Sequence, residues 1–278
     1  MKLGLMFVNT LAVTREQILE LVALAEEAGY ESLWTVEHVV VPKGYESTYP
    51  YSRSGRMAGG VEDLDFPDPL VWLSFAAAAS TSIKLATGVM ILPQRNPVVL
   101  AKEVATLDRL SNGRVILGVG AGWLEEEFQA LGIPFEDRGD RTDEYIAALR
   151  ALWSQDVAEF EGTYTSFSDL YVRPQPVNGS VPIVVGGHSK RAARRAGQLG
   201  DGFYPASTNR EDLPMLVALA REWAERSGRD PEALEITMGS RPDLESVERL
   251  AELGVDRVVV SPVVGAEALA SLAAEVLG

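Results

Sequence analysis

Eight short apolar or β-branched runs alternate with helical patterns along the chain, and that alternation limits the fold more than any other feature. The runs are KLGLMFV (2–8), SLWTV (32–36), IKLATGVMIL (83–92), RVILGVG (114–120), PIVVGG (182–187), DGFYP (201–205), LEITMGS (234–240) and DRVVVSP (256–262). Strands read as near-continuous apolar runs when helices cover both faces of a parallel sheet. Between them, Ile18, Leu21, Val22 and Ala25 recur at helical spacing. Leu100, Val104 and Leu107 repeat the pattern ahead of an Asn112-Gly113 stop, and Ala192, Ala196 and Leu199 repeat it again. Eight β–α units in 278 residues predict an α/β fold, a TIM (β/α)8 barrel, with residues 1–278 as a single domain. Two stretches interrupt the rhythm and read as insertions: 41–68 after strand two, and 154–181 between strands four and five.

Composition narrows the function classes. A formal net charge of −15 argues against nucleic-acid binding, since phosphate attraction needs a basic surface. The absence of cysteine excludes disulfides, thiolate catalysis and thiolate metal sites. The N-terminal MKLGLMFVNT reads as a strand and not a targeting leader, and its apolar stretch is too short to span a membrane. A cytoplasmic protein acting on a small-molecule substrate is the expectation.

Within this acidic chain, VVGGHSKRAARRAG (184–197) gathers four basic side chains. It reads as a strand passing through Gly186 and Gly187 into a helix capped by Ser189. Lys190 and Arg191 then fall in the first helical turn, where the helix dipole is already positive. That placement makes sense if an anion sits there, held by the free N–H groups of the helix start, and the loop after a late barrel strand commonly receives a phosphate. The alternative is that both side chains extend into water or pair with surface carboxylates. We read the stretch from Gly186 and Gly187 through His188 and Ser189 to Lys190 and Arg191 as a phosphate site.

Other stretches carry further candidates. WTVEH sets Glu37 and His38 just past strand two, at the expected barrel mouth, where an imidazole suits proton transfer near neutrality. Glu37 could instead point away and make only a surface pair. GVGAGW (118–123) departs from a dinucleotide fingerprint, ending in Trp123 and following the fourth strand. Gly120 and Gly122 either admit a flat ligand with Trp123 as a wall or serve close packing of strand on helix. The acidic run Glu125–Glu127 reads only as a favourable helix start. Gly88-Val89, inside a buried strand, marks a bulge, a ligand pressed on the backbone or a barrel corner. No metal-ligand cluster is visible: the two histidines, His38 and His188, lie in separate loops.

LWTVEH, LATGVMILPQRNPVVLAKEVATLDRLSNGRVILGVGAGW and PIVVGGHSKRAARRAGQLGDGFYP, in this order, resemble the bacterial luciferase-like monooxygenase family, and within it the branch using the deazaflavin coenzyme F420. The resemblance runs from the first strand to about residue 205. It implies a TIM barrel holding an isoalloxazine-type ring at the C-terminal face, and a homodimer. It implies a non-proline cis peptide at Gly88-Val89 behind the ring, strand-four glycines at Gly120 and Gly122, a phosphate loop at Gly186–Ser189, and Glu37-His38 beside the reactive carbon. Trp123 stands where sugar-phosphate dehydrogenases of the family carry an acidic residue, which puts sugar-phosphate oxidation in doubt and leaves His38 to handle the proton. The function so implied is hydride transfer between F420 and a small organic substrate. An FMN-dependent monooxygenase fed by a partner reductase and a non-catalytic flavin-binding relative are the alternatives. The 41–68 insertion would either cover the substrate, with Tyr45, Tyr49 and Tyr51 as walls and Arg53 or Arg56 as anion contacts, or stand free in solvent.

Overall fold

The computed structural model describes residues 1–206 and 212–277, and these build the expected closed barrel. Its parallel staves are β1 (Lys2–Met6), β2 (Ser32–Thr35), β3 (Lys84–Thr87) with its short continuation β4 (Met90–Ile91), β5 (Val115–Gly120), β8 (Ile183–Gly186), β9 (Gly202–Tyr204), β10 (Glu235–Ser240) and β11 (Arg257–Val260). β11 pairs with β1, and β3 pairs with β5, so the ring closes. The third stave, read from sequence as one run over 83–92, is instead broken in two by a cis Gly88–Val89 peptide. Insertion 154–181 contains an antiparallel hairpin, β6 (Ala158–Glu161) and β7 (Ser166–Leu170).

Helices α2 (Arg15–Glu27), α3 (Pro69–Ala79), α4 (Pro97–Leu110) and α7 (Lys190–Leu199) start on local sequence signals. Thr14 and Gln17 form a reciprocal capping box, while Asp68 and Asn96 cap helices whose first residue is proline. Ser189 caps α7 by accepting from the Ala192 N–H. A short α1 (Val8–Leu11), α5 (Glu125–Ala130) and α6 (Arg138–Ser154) join them, with α8 (Leu213–Arg226), α9 (Leu244–Glu252) and α10 (Ala266–Leu277) beyond. None of the helices among the described residues is long and apolar enough to cross a membrane.

Strand alternation sorts the core into two clusters. Leu33, Leu85, Val115, Leu117, Ile183, Val185, Phe203, Ile236 and Val258 face the helices. Their neighbours Trp34, Ala86, Ile116, Val184, Tyr204 and Val259 fill the barrel interior. Trp34 is fully buried and meets Tyr204 edge-on at 5.8 Å. Its bulk fits because glycines face it: a Cβ on Gly88 would come 2.9 Å from the indole, and one on Gly118 would overlap the Thr87 carbonyl oxygen.

At the N-terminal end of the barrel the interior is closed by a buried cation. Arg257 is 2% exposed, donates to Glu31, Glu235 and the Thr237 hydroxyl, and lies 5.5 Å from the Trp34 ring centroid. Burial works against its charge, but the two carboxylates outweigh that and raise its pKa. Removing one partner of such a network strands the others. Arg257→Ala is expected to cost about 3–5 kcal/mol of unfolding free energy, read as a lowered midpoint in urea denaturation monitored by tryptophan fluorescence.

Candidate active site

The C-terminal ends of β3–β4, β5 and β8 converge on one side chain. Val89 points into a space that two glycines leave open: a Cβ on Gly120 would come 2.7 Å from its Cγ2, and one on Gly186 would come 2.6 Å from its Cγ1. Gly120 and Gly186 therefore make room for Val89 first, rather than meeting a ligand directly. Gly122, at φ +84°, takes the packing reading as well, since Phe128 and Ile91 fill the place of its side chain. Trp123 stands at the rim as a wall, half-buried among rings.

Glu37 and His38 both sit at the mouth, but they do not pair with each other. Consecutive residues leaving a strand point to opposite sides. Glu37 is buried, accepts from the Ile91 N–H at 2.5 Å and is gripped by Arg95, which also bonds Asp68 at 2.8 Å. Glu37 thus fixes the base of the 41–68 segment to the end of the third stave. His38 Nδ1 lies 3.0 Å from Oε2 of Glu127, a fully buried carboxylate whose Oε1 accepts from the Val39 N–H at 2.6 Å and the Val40 N–H at 3.3 Å. A carboxylate that only accepts obliges Nδ1 to donate, which leaves Nε2 as the free nitrogen. The expectation that Glu125–Glu127 do no more than favour a helix start is therefore corrected at Glu127 and at Glu126. The available signal was position, since the run follows a strand whose end opens on the mouth.

The four basic side chains of 184–197 divide into two kinds. Arg195 is buried and bonded to Asp143 and the Gly139 carbonyl, and Arg194 lies 4.5 Å over Trp223, so both serve packing. Lys190 and Arg191 are exposed and form no ion pair among the described residues. Beside them the N–H groups of His188, Ser189, Lys190 and Arg191 meet no acceptor among the described residues, whereas Gly187 donates to the Tyr204 carbonyl at 3.1 Å. Arg138, missed in the sequence, adds a third cation near Arg191; its Nε donates to the Gly122 carbonyl at 3.2 Å. Four donors and clustered positive charge suit a phosphate. Among the described residues there is no cluster of acidic or histidine side chains able to hold a metal ion.

The 41–68 insertion lies across this mouth and does not stand free in solvent. Edge-on rings run from His38 to Trp123 at 5.7 Å, to Tyr49 at 5.0 Å, to Tyr51 at 5.2 Å and to His188 at 5.3 Å. Tyr45 packs on Trp123 at 5.4 Å. Burial pushes the Tyr51 phenol up to about 12, with Tyr49 adding to the effect. Arg56 is spent on the Tyr45 carbonyl and ring, so it is not the anion contact expected of it, and Arg53 is exposed. Glu126 ties the segment down by accepting from the Glu46 N–H at 2.6 Å and the Ser47 N–H at 3.0 Å.

The sequence model of the luciferase-like monooxygenases matches residues 1–252. An uncharacterized protein of Mycobacterium tuberculosis is 32% identical over 238 residues, covering 85% of this chain and 83% of that one. The F420-dependent glucose-6-phosphate dehydrogenase of Kineococcus radiotolerans is 33% identical over 220 residues, covering 77% of this chain and 60% of that enzyme. In fold, the coenzyme F420-dependent tetrahydromethanopterin reductase of Methanopyrus kandleri superposes with a TM-score of 0.80 at 18% identity, covering 99% of this chain and 98% of that one.

The anchor at Glu126 is testable. Burial raises its pKa, but the Ser47 hydroxyl and the N–H groups of residues 126, 46 and 47 prevail and hold it at about 2 against an ordinary 4.5. A depressed folded-state value means the anchor's contribution is complete above about pH 4.5 and is lost as pH falls toward about 2. Pepsin cleavage within 41–68 is expected to rise over that acid range, and Glu126→Gln is expected to speed tryptic cleavage there at neutral pH.

Proposed function

The chain belongs to the luciferase-like monooxygenase family, and we propose that it is an F420-dependent oxidoreductase moving a hydride between the bound deazaflavin and a small organic substrate. The observation that carries this reading is the row of four acceptor-free N–H groups beside Lys190 and Arg191, across the mouth from a histidine whose Nε2 is free. The F420 dependence of the Kineococcus dehydrogenase and the Methanopyrus reductase supports the choice of coenzyme.

The residues present fit such a coenzyme. Its phosphate would be held by the amides of His188–Arg191 with the Lys190 and Arg191 side chains, and Arg138 would add charge. Gly88 and Val89, backed by Gly120 and Gly186, would carry the ring. Gly122, Gly187 and Ser189 shape the loops on either side, and Trp123 closes one edge. When bound, the deazaflavin supplies the hydride chemistry, and the protein supplies position, a proton and dryness. Glu127 holds His38 in one tautomer with Nε2 free to take or give the proton that accompanies the hydride. The Tyr45, Tyr49 and Tyr51 segment shields the mouth from water. Glu37 acts at one remove, through Arg95 and Asp68.

Fluorescence titration with F420 and with FMN tests the reading. F420 is expected to bind more tightly, and Lys190→Ala/Arg191→Ala is expected to weaken it by about 10-fold or more. Tighter binding of FMN would move the protein to the reduced-flavin monooxygenases instead. His38→Ala is expected to retain coenzyme affinity while losing turnover; unchanged turnover would remove His38 from the chemistry.

A further inference from the structure

One buried tyrosine is unlike the others. Tyr30 donates its hydroxyl proton to the Leu269 carbonyl at 3.0 Å, while the Tyr45 and Tyr145 hydroxyls accept from the Met57 N–H at 3.0 Å and from Arg141 at 3.3 Å. The Tyr204 hydroxyl has one partner among the described residues, the thioether sulfur of Met6 at 3.9 Å, and such a sulfur accepts only weakly. Buried phenols ordinarily find an oxygen or nitrogen partner, because a hydroxyl without one forfeits the bond it made to water. A phenylalanine would fill the same space against Trp34 without that loss. Packing alone therefore gives the Tyr204 hydroxyl no role.

Its surroundings place it at the ligand end of the barrel. Tyr204 ends β9, Met6 ends β1, and Gly239 stands one residue before the end of β10, so the hydroxyl sits where three staves open onto the mouth. Gly239 keeps the space beside it clear: a Cβ there would come 3.4 Å from the hydroxyl oxygen and 3.5 Å from the Met6 sulfur. The edge of the Tyr204 ring lies against Gly88, whose missing Cβ would come 3.4 Å from Cε1. Burial pushes the phenol well above its ordinary 10, and Tyr49 and Tyr51 in the covering segment add to the effect, so the proton stays on oxygen. Resting on the deazaflavin reading above, we propose that Tyr204 touches the coenzyme, its hydroxyl donating to an oxygen or nitrogen acceptor of the ring carried by Gly88 and Val89. Ring nitrogens and carbonyl oxygens are common to F420 and FMN, so either ring offers such an acceptor. The start of α7 holds the charged end of the coenzyme through cations and amides, whereas Tyr204 holds the flat end through one neutral donor.

The test compares Tyr204→Phe with Tyr30→Phe, each of which removes one buried hydroxyl. In the coenzyme-free protein, followed by circular dichroism, Tyr204→Phe is expected to hold or raise the urea midpoint, because the lost group had no strong partner. Tyr30→Phe is expected to lower it. In titrations of the full chain, Tyr204→Phe is expected to weaken F420 by about 3- to 10-fold and to move the visible absorption maximum of the bound coenzyme, while Tyr30→Phe changes neither. An absorption maximum unmoved by Tyr204→Phe would overturn the proposal whatever the affinity, as would a urea midpoint that falls as far as that of Tyr30→Phe. The deazaflavin reading fails separately. A chain that binds FMN in preference to F420 loses that reading, and the same comparisons made with FMN then decide on Tyr204. One that binds neither ring loses both.

Discussion

The barrel closes around Trp34. An indole inside a ring of eight staves requires its neighbours to give way, and they do so through Gly88 and Gly118, whose missing side chains let the third and fourth staves approach. Tyr204 meets it from the opposite wall, and Arg257 covers it from below. The same crowding carries upward: beyond Gly88 the chain turns Val89 into the gap left by Gly120 and Gly186, which draws three strand ends together at the mouth. Packing in the interior and shape at the site are thus one continuous arrangement of large residues set against glycines.

Charge is distributed with equal economy. The chain as a whole is strongly acidic, yet several of its buried arginines are paired with carboxylates: Arg257 with Glu31 and Glu235, Arg95 with Glu37 and Asp68, Arg195 with Asp143. Lys190 and Arg191 stand outside any such group, in the turn where the backbone offers four acceptor-free donors.

The aromatic path from His38 through Trp123, Tyr49 and Tyr51 to His188 links the ends of the second and fifth staves through the 41–68 segment. Edge-to-face rings hold position without hydrogen bonds, so a mostly irregular stretch can span the mouth while its backbone is tied down at a few points, Glu126 chief among them.

The sequence by itself determined the barrel. Strand periodicity, helix caps at Thr14, Asp68, Asn96 and Ser189, and the glycine positions are local signals, and local signals are legible because neighbouring residues supply them. The exposed cations at the start of α7 were legible for the same reason, since wrong-sign charges in one turn announce themselves. Glu127 as the partner of His38, Arg95 as the partner of Glu37, and Arg138 beside Arg191 were not, because those pairs lie 89, 58 and 53 residues apart and only closure of the ring brings them together. Whether Gly120 faces a ligand or a valine, and whether residues 41–68 cover the mouth or stand clear of it, were likewise decided by tertiary structure: the direction in which a side chain finds its neighbour is a property of the closed barrel, not of any stretch of chain.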